Sequence, residues 1–149
     1  MDLIKKTLFG CFALALIACN NFKAADSGVK YKIINTANGP IVSTGEVLKM
    51  HMRQMYGDSV LRDTRKFIPE YQVLDSSIMS KDAFEIFKQV KAGDSIVFLV
   101  QPDSTLKKKF SKLKGDELMT MVKIISILAN QDSAGIDQES ERKRFMPVR

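Results

Sequence analysis

Apolar side chains recur at every second position along much of this chain, and that period limits the folds open to it. Val29, Tyr31 and Ile33 alternate with Lys30, Lys32 and Ile34, and Leu48, Met50 and Met52 alternate with Lys49, His51 and Arg53. A period of two belongs to strands with one buried face. Tyr56-Gly57-Asp58-Ser59 reads as the turn after the second of them. Val60 to Arg62 and Phe67 to Leu74 add strands separated by charge, and Pro69 puts the latter at an edge or a bend. Ser95 to Gln101 is a continuous apolar strand, Pro102-Asp103 starts a turn, and Glu117 to Leu128 is a long final strand.

One segment has a helical pattern instead. Ser80 can cap a helix running to Lys91, Asp82 favours its first turn, and Ala83, Phe84, Phe87 and Val90 form its apolar face. Gly93 is expected as its stop residue. Several antiparallel strands and one helix make an α+β domain. No repeat or low-complexity segment interrupts residues 29 to 128.

The front of the chain stands apart from this domain. Lys5 and Lys6 precede an apolar run from Thr7 to Ala18, which falls short of the roughly 20 residues of a spanning helix. Residues 1 to 18 are therefore expected to be a cleaved secretory signal. Leu16-Ile17-Ala18-Cys19 resembles the lipobox of bacterial lipoproteins, which implies diacylglycerol on the Cys19 thiol and a firm membrane tether. Residues 19 to 28 then form a lipidated cysteine and polar spacer. Asn20 follows Cys19 with no acidic run behind it, so the expected location is the cell envelope, facing the periplasm.

Cys11 would leave with the signal and Cys19 would be consumed by lipid, so neither a disulfide nor a thiolate metal site is expected. Loss of Lys5, Lys6 and Asp2 lowers the net charge from +6 to +5. Much of the excess lies in Lys107, Lys108, Lys109, Lys112 and Lys114, read either as a solvated loop or as a patch for anionic lipid or an acidic partner. Nucleic acid is not an expected partner outside the cytoplasm. Residues 129 to 149 read as a polar tail, helical or disordered, with a break at Ser133 to Gly135.

The order of these elements, with Gly45-Glu46 opening a strand, Lys91-Ala92-Gly93-Asp94 after the helix and Gln101-Pro102-Asp103 ending the next strand, resembles the FK506-binding-protein (FKBP) type of peptidyl-prolyl isomerase over Gly28 to Leu128. The lipobox and the missing aromatics are similar to divergent members from the Bacteroidetes. The resemblance implies a twisted antiparallel sheet of about five strands wrapped on one short helix, with a proline pocket between them. It implies no cofactor and no metal, and as partners proline-containing or unfolded segments of exported polypeptides.

Rotating an X-Pro bond needs no nucleophile. The barrier of roughly 18–20 kcal/mol is lost amide resonance, and the twisted amide is less dipolar than the planar one, so an apolar pocket favours it. The family supplies aromatic walls, a Trp at the helix base and an Asp. Here the resemblance puts Met52 at a tyrosine position, Leu61 and Asp63 in the Phe-Asp region with the Asp displaced by one residue, and Ala83 about where the Trp belongs. Leu106 falls at a tyrosine and Thr120 at a phenylalanine, and the chain has no Trp at all.

The expected function is thus an isomerase-type domain assisting the folding of exported proteins, with an activity reduced by these departures. The alternative is a non-catalytic peptide-binding lipoprotein with a degenerate cleft, and a third reading is an unrelated envelope lipoprotein. Met50, Met52, Met79, Met119 and Met121 are either a soft apolar cleft or plain core. His51, the one histidine, has no second partner for acid/base chemistry.

Overall fold

The computed structural model describes residues 21–35 and 38–146. The signal, the lipobox and Cys19 lie outside the described residues. Strands β1 (Lys23–Ala24), β2 (Lys30–Ile34), β3 (Val47–Tyr56), β4 (Ser59–Asp63) and β5 (Glu70–Val73) precede helix α1 (Lys81–Phe87). Then come β6 (Ser95–Val100), α2 (Ser104–Lys109), β7 (Leu118–Leu128) and α3 (Gln131–Phe145). The strands form one antiparallel sheet in the order β1-β2-β6-β7-β3-β4, with β5 also on β3. The expectation of about five strands becomes seven because β1 is only two residues long and because β4 and β5 share one side of the ten-residue β3.

Residues directly opposite in a ladder point to the same face of a sheet. Ile33, Ile96, Val122 and Met52 form one such row, and Met50 pairs with Ile124 beside it. This inner face is the one that meets α1, because Ile86 and Val90 join Leu48, Met50, Ile96, Val122 and Ile124 in a single buried cluster. Burying an aliphatic side chain contributes about 1.5–3 kcal/mol, so this contact is the main cohesive element of the domain.

The chain is turned from helix to sheet by Lys91-Ala92-Gly93-Asp94. Asp94 is fully buried, its carboxylate accepts the Lys91 backbone N–H at 2.9 Å, and its carbonyl accepts the Ile124 N–H at 2.9 Å. Gly93 sits at φ +94°, a conformation that costs residues with a Cβ. It therefore serves this turn and not the helix terminus for which it was expected. The helix itself stops at Phe87, where Gln89 and Val90 donate three residues back to Ile86 and Phe87, tightening the chain before Lys91.

The lysine-rich loop, the break in the tail and the extent of the spacer need correction. The lysine-rich stretch is not all loop: Asp103 accepts the Leu106 N–H at 2.8 Å and starts α2, whose last turn carries Lys107, Lys108 and Lys109. The polar tail is a 15-residue helix through residue 145, and Ser133 to Gly135 does not break it. Asn130 caps that helix by accepting the Ser133 N–H at 2.9 Å, and Arg142, Lys143 and Arg144 suit its C-terminus. Lys23 and Ala24, expected in a spacer, pair with Tyr31 and Lys30.

Helix α3 is fixed to the outer face of the sheet by charge. Lys49 pairs with Tyr71 across β3 and β5, its ammonium lies 2.7 Å from Asp137 and 2.8 Å from Glu141, and Tyr71 donates its hydroxyl to Asp137 at 2.6 Å. Burial alone would lower the Lys49 pKa, but the hydrogen bonds from Asp137 and Glu141 outweigh it and raise it. For Asp137 burial pushes the other way, and its bonds with Lys49 and Tyr71 prevail to hold it below the ordinary 3.8. Burial, reinforced by Asp137, pushes Tyr71 above its ordinary value.

The sign of the pH dependence follows. A depressed carboxylate stabilises above its unfolded value and loses that contribution as pH falls toward its folded one, whereas raised Lys49 and Tyr71 lose theirs as pH rises through their folded values. The protection factor of α3 amides, exchange relative to an unfolded chain at the same pH, should be steady through neutral pH and fall below pH 3.8 and again above pH 10. Lys49→Met should cost on the order of 2–3 kcal/mol in denaturant unfolding, since it leaves two partly buried carboxylates without their cation.

Candidate functional site

Where α1 starts, the inner face of the sheet is not fully covered. Ser80 caps the helix by accepting the Ala83 N–H at 3.2 Å, which leaves Ala83 on the first turn beside the sheet. A cleft of about 530 Å³ opens there, walled by Val29, Ala83, Ile86 and Phe98. That is within the roughly 300–1,000 Å³ of sites that hold small ligands or side-chain groups.

The rim is polar and tied down. Ser27 donates its backbone N–H to Asp82 at 2.9 Å, and Lys81 meets Asp26 at 3.0 Å. The Ser27 bonds hold the Asp82 carboxyl below the usual carboxylate range. The segment after β1 thus forms one wall, joined to the helix start across 55 residues of sequence. A short polar stretch before a strand gave no sequence signal of this role, and Phe98 lies in the continuous apolar run Ser95 to Gln101, where no alternation tells one face from the other.

Of the residues expected at the site, the structure brings three to the inner face. Ala83 lines the cleft, Thr120 pairs with Phe98 of its wall, and Met52 lies two residues along the sheet, opposite Val122. Gln54 donates its side-chain amide to the Thr120 hydroxyl at 3.3 Å, so that hydroxyl has a neighbour already. Met50 is buried core, Met52 and Met79 pack against it, and Met119 and Met121 fall on the outer face. The methionine set is therefore split between the two faces.

The other three are elsewhere. Asp63 pairs with Arg53 on the outer face, and Arg65 holds its carboxylate by side-chain and backbone hydrogen bonds that keep its pKa far below the usual range. Leu61 falls between the pairs Gln54–Arg62 and Met55–Val60 and has no ladder partner. Leu106, half-buried on α2, does not line the cleft.

The residue that faces Met52 is Thr64. Its hydroxyl accepts the Met52 N–H at 2.8 Å, its own N–H donates to the Met52 carbonyl at 2.9 Å, and His51 Nδ1 lies 3.3 Å away. Thr64 is buried, so these bonds stand in for the ladder where β4 has left β3 and β5 has not begun. His51 thus has a structural neighbour and no acid/base partner beside the cleft.

Neither a family model nor a curated protein matches the sequence. Solved structures do resemble the fold. FkpA from Escherichia coli superposes with a TM-score of 0.50 at 16% identity, over 73% of this chain and 52% of that one. The chain thus spans about half the length of that protein. A peptidyl-prolyl cis-trans isomerase from Pseudomonas syringae gives 0.48 at 12% identity, covering 74% and 84% of the two chains. The N-terminal domain of FKBP42 from Arabidopsis thaliana gives 0.46 at 17%, covering 71% and 91%. The fold of this chain is FKBP-like: α+β, with an antiparallel sheet against a short helix.

Thr64→Val should cost about 1–2 kcal/mol in urea unfolding, because it keeps the shape while leaving the Met52 N–H without its acceptor. Asp63→Asn, on the exposed outer face, should shift the unfolding midpoint far less. An equal or larger shift for Asp63 would give it the structural role assigned here to Thr64.

Proposed function

We propose that this chain is an envelope-anchored FKBP-type domain that receives proline-containing or unfolded segments of exported polypeptides in the cleft beside Ala83 and assists rotation of their X-Pro bonds, slowly. The single observation behind this reading is an open, largely apolar cleft at the helix start in a domain of FKBP-like fold. The reaction asks for little more than removal of water from the amide and a wall that tolerates its twisted form. Val29, Ile86 and Phe98 supply that wall.

Slowness follows from what lines the cleft. Ala83 in the cleft and Met52 and Thr120 further along the inner face stand where the resemblance implies rings, as smaller or more flexible groups, and the rim carboxylates Asp26 and Asp82 are already tied to Lys81 and to the Ser27 N–H. Location rests on the sequence: a signal in residues 1 to 18, lipid on Cys19 and a periplasm-facing domain, the form of the divergent Bacteroidetes lipoproteins it resembles. The second reading, a binding module without catalysis, is favoured by the same loss of rings.

Refolding of a protein limited by a trans-to-cis prolyl step separates the two. The soluble fragment from Phe22 should accelerate that step at micromolar protein, and Ala83→Trp, which adds a ring to the cleft wall, should raise the acceleration at least about tenfold, a difference of 1.4 kcal/mol in barrier. Absence of acceleration at high protein concentration would remove the enzymatic reading and leave the binding module.

A further inference from the structure

The opposite face of the sheet carries a second concavity that the isomerase reading does not use. Its rows are set by the ladder: Ile34, Ser95, Lys123 and His51 lie across the sheet in one, Val97, Met121 and Arg53 in the next. Between them is a depression of about 260 Å³ with a floor that is mostly apolar. Three permanent cations, Arg53, Arg65 and Lys123, surround it, and the one carboxylate paired into these rows is Asp63.

That carboxylate is already committed. Arg65 holds both of its oxygens, at 2.8 Å and 3.0 Å from Nε, and Lys123 donates to the Gly93 carbonyl. Arg53 is engaged only loosely: its shielded Nε lies 3.8 Å from Asp63 and makes no hydrogen bond, while the side chain stays 31% exposed, so its Nη groups are the donors open to a ligand. An arginine with unused donors beside an apolar depression suits a carboxylate joined to an apolar group, since the guanidinium fork matches a carboxylate in two bonds.

Size decides among such groups. A depression of this volume is below the range that encloses drug-sized ligands, so it admits one apolar side chain and not an extended acyl chain. The strands beneath it, β6, β7 and β3, all have neighbours on both sides, so no edge is offered for an added strand. We infer that the outer face of the sheet captures the C-terminal residue of a polypeptide, with its apolar side chain between Val97 and Met121 and its terminal carboxylate on Arg53.

N-acetyl-leucine, N-acetyl-leucinamide and octanoate titrated separately into the isotope-labelled full chain test this by NMR. The expected result is saturable binding of N-acetyl-leucine, with Kd on the order of 1 mM for so small a ligand, and shifts at Val97, Met121 and Arg53. The amide should bind at least tenfold more weakly, and Arg53→Gln should lose the same factor while resonances at Ala83 and Phe98 stay in place. Arg53→Lys, which keeps the charge without the fork, should bind several-fold more weakly than the parent if the glutamine variant does not fold. Equal binding of acid and amide, octanoate binding tighter than N-acetyl-leucine, or shifts confined to the Ala83 cleft would each overturn the inference.

Discussion

A single short helix held against a sheet is the constraint on which the rest of this molecule depends. Seven residues are too few to persist as a helix in water, so α1 exists because Ile86 and Val90 are buried against Leu48, Ile96, Val122 and Ile124. The Asp94 turn fixes where that helix ends relative to β7, through bonds to Lys91 and Ile124. At the near end of the helix Ala83, Ile86 and Phe98 wall the cleft.

The two faces of the sheet then divide the chemistry. The inner face is apolar core that opens at one end into the cleft. The outer face carries α3 at one end, bound through Lys49, Asp137, Glu141 and Tyr71, and a cationic depression further along. In strands, one residue of displacement moves a side chain from one chemistry to the other. Asp63 shows the consequence, since at its actual register it is held by Arg65 on the outside, with Arg53 only loosely beside it, and does not line the cleft.

Much of this was legible in advance. Period-two alternation located β2 and β3, β7 was expected as a long final strand, and the Lys91 to Asp94 motif, expected to close the helix, forms the turn that joins it to the sheet. Thr120 and Ala83, expected in the pocket, lie on the inner face and at the helix start. Leu61 and Asp63 could not be placed in advance, because β4 changes register at Leu61, and a bulge leaves no composition signal when its residue is an ordinary one. Helix α2 was missed because it is a single capped turn and a half, and the tail stayed open between helix and disorder because α3 is held by three polar contacts to residues more than 60 positions away, which no local window contains.

The central claim is that a proline-containing segment is received between α1 and the inner face. Titration of a labelled chain with a short peptide containing one X-Pro bond, followed by methyl and amide NMR, tests it most directly. The account predicts saturable shifts at Ala83, Ile86, Phe98 and Thr120, with His51, Arg53 and Val97 unmoved, and weaker shifts when the proline is replaced by alanine. Shifts spread over the outer face, or an alanine peptide that binds as well as the proline one, would contradict it.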